Sequence, residues 1–231
     1  HQQHIVLDEV EDIIQLPSFQ SCPDKSSPMD DTFVVLDANV ADQLRAFVHA
    51  ISELYRENPF HSFEHASHVT MSVVKLLSRI VAPQLDSATT VDDMARELHD
   101  HTYGITSDPL TQFAVVLSAM VHDVDHVGVP NATLVKEKAG IASFYHNKSV
   151  AEQNSVDIAW ELLMSENYVD LRRALYTTKT EFLRFRQLIV NTVLATDIMD
   201  KELGQERKDR WNKAFSDETS ERVVVVKEGH P

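Results

Sequence analysis

An apolar run from Phe113 to Val121 ends directly in His122-Asp123-Val124-Asp125-His126. The run reads as a core helix, so a cluster of ionisable side chains emerges where the chain is buried. Charge in such a place is costly unless it is paired or binds something. The helix must therefore lie in the core, and its end must open onto a polar site. A helix C-terminus welcomes histidine beside the negative end of its dipole, but two aspartates there are unfavourable. Imidazoles and carboxylates at this spacing are what proteins use to hold divalent metals side by side. A second stretch, His61-Ser62-Phe63-Glu64-His65, followed by His68, offers the same chemistry. If the segment after Pro59 is helical, His61, His65 and His68 share one stripe and point into one pocket.

The rest of the chain predicts an all-α fold. Glycines number five in 231 residues, and strand-like alternation is scarce while helical periodicity is common. Residues 1–35 read as an N-terminal tether, broken by Ser18, Ser21, Pro23, Ser26, Ser27 and Pro28. From the N-cap candidate Asp37, Val40, Leu44, Phe47, Val48, Ile51, Leu54 and Tyr55 fall at helical spacing, up to a stop at Asn58-Pro59. A second helix is predicted over about 62–81, and a short one near 90–100 within a polar connection. Asp108-Pro109 is an N-cap with proline at the first helical position, opening the helix that ends near Val121. Ser149-Val150-Ala151-Glu152 and Thr178-Lys179-Thr180-Glu181 both have the form of a capping box, predicting helices to Met164 and to about Lys201. Phe60, Tyr103, Trp160 and Trp211 are read as packing residues.

Charge and cysteine content narrow the function. A net charge of -15 argues against nucleic acid or an anionic membrane surface, which need a cationic face. The single cysteine, Cys22, leaves no internal disulfide and suits a reducing compartment, so cytoplasmic placement is expected. It also leaves any metal to histidine and carboxylate. No secretory signal or membrane-length apolar segment is visible. The first residue is not Met and the chain closes in the β-branched run Val223–Val226, so a piece of a longer protein is expected.

Four blocks stand in order: His61-Ser62-Phe63-Glu64-His65-Ala66-Ser67-His68-Val69, His122-Asp123-Val124-Asp125-His126-Val127-Gly128-Val129-Pro130-Asn131, Ser149-Val150-Ala151-Glu152 and Leu194-Ala195-Thr196-Asp197. Together they resemble the catalytic domain of class I cyclic nucleotide phosphodiesterases, within the His-Asp metallohydrolases, over roughly residues 35–215. The stretch from Asn58 to Leu77 is most similar to algal and protist versions, in which the domain is often the cytosolic tail of a receptor-type nucleotide cyclase. The resemblance implies a compact multi-helix fold, with residues 36–231 forming a catalytic domain incomplete at its C-terminus. It implies hydrolysis of cAMP or cGMP to the 5′-monophosphate with two divalent ions, zinc in the tighter site and magnesium or manganese in the second. By position, His61 matches the general acid on the leaving 3′ oxygen, His65 and His122 match nitrogen ligands of the tighter metal, and Asp123 matches the bridging carboxylate. His126, Glu152 and Thr196 match residues of the second ring around the metals. Glu152 is equally the third residue of a capping box, and a helical threonine such as Thr196 often bonds back to its own helix.

Departures are confined to Ser62 for the usual Asn, His68 for the usual Asp, and Gln153-Asn154-Ser155 where many members have Asn-His-His. In the family the domain continues further, carrying the last metal-ligating Asp, the purine-gripping Gln and a stacking aromatic. The chain alone is therefore expected to turn over little substrate. The ligand set by itself also fits a nucleotidase or a di-iron oxygenase, and a non-catalytic regulatory fragment would share the fold.

Overall fold

Helix α4 (Pro109–Val121) is the axis on which the rest is laid. Its start is fixed twice. Asp108 accepts the Thr111 amide at 3.1 Å as an N-cap, and the same carboxylate takes the Thr111 hydroxyl and the Arg184 guanidinium. Along its length Leu110, Ala114, Leu117 and Val121 are buried. They meet Phe47 and Ile51 of α1 (Ala38–Glu53), Val156, Ala159 and Leu163 of α7 (Val150–Met164), and Phe185, Ile189, Val190 and Val193 of α9 (Lys179–Leu194). Helix α2 (Phe63–Leu77) lies against α4 and buries only Ala66 completely. Full burial of a large apolar side chain contributes about 1.5–3 kcal/mol, so this cluster holds α4 in place against the charges at its end.

This computed structural model describes residues 5–11, 14–17, 19, 36–80, 90–102, 104–105 and 107–214. Among them the chain forms ten α-helices and no strand. The others are α3 (Val91–His101), α5 (Asn131–Lys136), α6 (Gly140–Phe144), α8 (Val169–Leu175) and α10 (Lys201–Ala214). The all-α expectation holds, and α4 and α7 end where the sequence placed them. Helices α5, α6 and α8 are too short to leave a periodic signal. Helix α1 stops at Glu53, before Asn58-Pro59, because the Leu54 and Ser52 carbonyls are taken by turn amides: Asp125 N–H donates to Leu54 at 3.1 Å and Tyr55 N–H to Ser52. Helix α9 stops at Leu194 rather than near Lys201, since Asp197 accepts the amides of Met199 and Asp200 and turns the chain into α10.

Part of the expected tether is not free. Val6 is fully buried in the main core, and the Leu7 amide donates to Gln153 Oε1 at 3.0 Å. Glu9 pairs with both arms of Arg186 at 2.9 and 2.7 Å, while Glu11 and Asn191 exchange hydrogen bonds. Two apolar residues followed by two acidic ones let one short 3-10 turn (Val6–Glu9) serve both the core and these polar anchors. The Ser- and Pro-rich positions 20–35, Cys22 and residues 215–231 lie outside the described residues. No described helix is long and apolar enough to cross a membrane.

Burial pushes the Asp108 carboxyl up, but the hydrogen bonds from Arg184 and Thr111 outweigh it and hold the group below the ordinary carboxylate value. A depressed folded value means the pair stabilises fully above about pH 4, the unfolded aspartate value, and loses its contribution as pH falls through the lower folded value. Arg184→Met leaves a buried carboxylate unpaired and should lower unfolding stability by about 3 kcal/mol at neutral pH. Urea titration checks this, and the difference from wild type should shrink below pH 4.

Candidate metal centre

The end of α4 delivers its charge to one point. His122 is the C-cap, and its Nδ1 lies 3.0 Å from the Ala119 carbonyl. That bond places one proton on Nδ1 and leaves Nε2, 3.2 Å from Asp123 Oδ2, as the atom that takes either a second proton shared with Asp123 or an ion. This orientation is the one a metal-ligating histidine takes when its other nitrogen is fixed by a carbonyl. His65 reaches the same Asp123 oxygen from the first turn of α2, with its Nε2 at 3.8 Å. The turn is set by Ser62, whose hydroxyl accepts the His65 amide at 3.3 Å. His65, His122 and Asp123 can thus place one ligand atom each within 4.8 Å of one another. Two imidazoles and a carboxylate match the donors that divalent zinc prefers.

The single-stripe expectation for the first stretch is corrected. Helix α2 begins at Phe63 with Ser62 as its cap, so His61 precedes the helix, and His68 is exposed on it. His61 is brought in by Asn58, whose side-chain amide donates to the carbonyls of both His61 and His126, at 2.9 and 3.1 Å. The two imidazoles stack with centroids 3.7 Å apart, and His61 Nδ1 is buried without a hydrogen-bond partner. His61, His126 and Asp123 form a second group with ligand atoms within 4.8 Å. Asp123 is therefore common to both groups. The second group differs in chemistry. His126 Nδ1 accepts the Gly128 amide at 3.0 Å, so its Nε2 carries the proton and presents a donor rather than a lone pair.

Burial governs most of the titration behaviour. It pushes His65 down, aided by the neighbouring imidazoles, and His126 down, aided by His61. It opposes charge on His122 as well, but the hydrogen bond and charge of Asp123 outweigh it and raise that histidine. Asp123 is held low: burial works against its charge, and His122, His61 and His126 more than offset it. Tyr55 is pushed up by burial and then by Asp123, and its hydroxyl donates to the Met120 carbonyl at 2.7 Å, bracing the end of α4.

Glu152 stands at the start of α7, and the capping box expected there does not form. Ser149 adopts a left-handed φ of 37° and turns its hydroxyl to Asp197 at 2.8 Å. Asn131 takes over the cap: its oxygen accepts the Ala151 amide at 3.0 Å, and its amide donates to Glu152 at 2.8 Å and Asp197 at 3.2 Å. Burial and the charges of Asp197 and Asp123 raise the Glu152 carboxyl against the opposing bond from Asn131. Thr196 is exposed and gives its hydroxyl to the Val193 carbonyl at 2.7 Å. Phe60 is not a core residue: it is 61% exposed and its ring lies 4.4 Å from that of His65. Trp211 is 66% exposed, Trp160 packs against Phe182 and Phe185 as read, and Tyr103 lies outside the described residues. Asn58, Asn131 and Asp197 carry more of the site than their sequence suggests. Asn131 and Asp197 close two of the four blocks, which was the available signal.

The family model for 3'5'-cyclic nucleotide phosphodiesterase matches residues 60–224. The chain belongs to the cyclic nucleotide phosphodiesterase family. It is 28% identical over 175 residues to the cGMP-specific 3',5'-cGMP phosphodiesterase 3 of Dictyostelium discoideum, covering 76% of this chain and 33% of that protein. It is 30% identical to the human cGMP-inhibited 3',5'-cyclic phosphodiesterase 3A, covering 66% of this chain and 15% of that one. The fold is shared with the crystal structure of the phosphodiesterase domain of the RhoPDE fusion protein from the choanoflagellate Salpingoeca rosetta, at a TM-score of 0.54 and 24% identity. That match covers 71% of this chain and 43% of the other. The chain thus spans a third or less of these curated relatives and under half of the solved domain. Membership in this family implies dependence on divalent metal, and the donor set around Asp123 fits such an ion.

A metal bound through His122 Nε2 competes with the proton that Asp123 favours there. Metal uptake should therefore weaken as pH falls through a value above the ordinary histidine 6.5, with a proton released on binding. Zn2+ titration calorimetry in buffers of different ionisation enthalpy measures that proton. Uptake independent of buffer and of pH around neutrality would contradict the assignment.

Proposed function

We propose that this chain, with residues 36–231 as a partial catalytic domain, supplies the metal-binding half of an active centre. In the whole protein that centre hydrolyses cAMP or cGMP to the 5′-monophosphate. The observation that carries the reading is the sharing of the buried Asp123 carboxylate by two histidine-containing groups. His65, His122 and Asp123 would hold the tighter ion, zinc, and Asp123 with His61 and His126 would line the place of a second, magnesium or manganese. Such ions would supply charge neutralisation on the phosphate while water adds to phosphorus and the bond to the 3′ oxygen breaks.

The protein's own groups do the rest. His61, stacked on His126 and held by Asn58, donates a proton to the leaving 3′ oxygen. His126 offers its Nε2–H towards the same space. Glu152 is an acceptor whose orientation Asn131 fixes. Thr196 keeps a place in this ring on the strength of its motif alone, since its hydroxyl is directed to Val193. A cytosolic location fits the single cysteine, fusion to a receptor or cyclase region fits the rhodopsin-linked neighbour, and both belong to the same proposal.

Taken alone, the chain is expected to bind metal and to turn over little cyclic nucleotide. Zn2+ uptake should fall at least tenfold in His65→Ala and in His122→Ala. In the full-length parent, His61→Gln should slow cyclic nucleotide hydrolysis by about 10²–10⁴ while leaving Zn2+ uptake intact. Phosphate release from nucleoside monophosphates, or oxygen consumption with iron, in place of cyclic nucleotide hydrolysis would overturn the reading.

A further inference from the structure

Asp125 is the ionisable residue of the second block that the proposed chemistry leaves without a task. It adopts a left-handed φ of 60°, a conformation that costs most non-glycine residues energy. Three hydrogen bonds from two segments hold it there. Its amide donates to the Leu54 carbonyl beyond the end of α1 at 3.1 Å. Its Oδ1 accepts from Arg56 Nε at 2.6 Å and its Oδ2 from Asn154 Nδ2 at 3.0 Å. Asn154 lies two residues beyond Glu152 on α7, and Asp125 lies between Asp123 and His126. One side chain thus ties the turn that carries the shared carboxylate to α1 on one side and to α7 on the other. An aspartate that merely tolerates a left-handed turn needs none of these partners.

We propose that Asp125 is a positioning residue of the metal centre, clamping the turn His122–Gly128 between Arg56 and Asn154 so that Asp123 and His126 face His65 and His61. It touches neither metal nor substrate and acts through the residues on either side of it. The proposal rests on the metal-centre reading above for its effect on ion binding, while the clamp itself is a property of the metal-free chain.

The glycine and asparagine variants separate a clamp from an ordinary turn. Asp125→Gly relieves the backbone cost and removes both tethers; Asp125→Asn keeps the turn but removes the charge that pairs with Arg56 and leaves one acceptor oxygen for the two donors. Pairing Asp125→Asn with Asn154→Asp lets the new amide oxygen accept from Arg56 while its NH2 donates to the new carboxylate. We expect the single variants to weaken Zn2+ binding, measured by competition with a chromophoric chelator, by about 10–100-fold. The paired swap should return affinity to within a few-fold of wild type. Amide exchange in the metal-free chain gives an independent readout. Exchange at His126 and Gly128 should accelerate in the single variants and slow again in the swap, while the core amides of α4 and α9 stay protected. If both single variants bind Zn2+ and exchange as wild type does, or if the swap rescues neither readout, the clamp is refuted. If wild type itself takes up no Zn2+, the metal-centre reading fails, and the exchange data alone decide the clamp.

Discussion

The carboxylate of Asp123 at the end of a buried helix is the constraint on which the molecule turns. Helix α4 enters the core because its apolar face meets α1, α7 and α9, and that burial takes its C-terminal charges away from water. The cost is met by hydrogen bonds and polar groups already in place: four imidazoles surround Asp123, Tyr55 braces the last turn, and Arg56 and Asn154 hold the turn beyond it. At the other end Arg184 neutralises Asp108 in the same way. Helix α4 is thus a rod with an ionic anchor at its start and a buried carboxylate ringed by imidazoles at its finish.

Tautomers divide the labour within the cluster. The Ala119 carbonyl fixes a proton on His122 Nδ1 and leaves Nε2 as its coordinating atom beside Asp123, whereas the Gly128 amide fixes His126 as a proton donor at Nε2. Two histidines four residues apart acquire opposite roles from backbone groups that composition does not show. The same logic accounts for Asn131, which caps α7 and at the same time orients Glu152 and Asp197.

Much of this was legible in sequence, and the failures have physical causes. Asp108-Pro109 located the start of α4 because a cap and a fixed proline φ act locally. Thr178 and Glu181 form the capping box that their spacing announced. Ser149 and Glu152 have the same spacing and do not, because Asn131, from a distant block, took the amide and Asp197 took the serine hydroxyl. Likewise the stripe of His61, His65 and His68 assumed a helix start that Ser62 moved to Phe63. Sequence patterns located the histidines and aspartate that the fold brings together; the residues that aim them, Asn58, Asp125 and Asn131, depend on contacts between segments that periodicity does not encode.

The central claim is that Asp123 is shared between two ions, one beside His65 and His122 and one beside His61 and His126. The most direct measurement is anomalous scattering from crystals of this chain grown with Zn2+ and Mn2+, collected at both absorption edges. The account predicts a zinc peak bonded to His65, His122 and Asp123 and a manganese peak on the other side of the same carboxylate. Zinc bound elsewhere, or bound without Asp123, would contradict it.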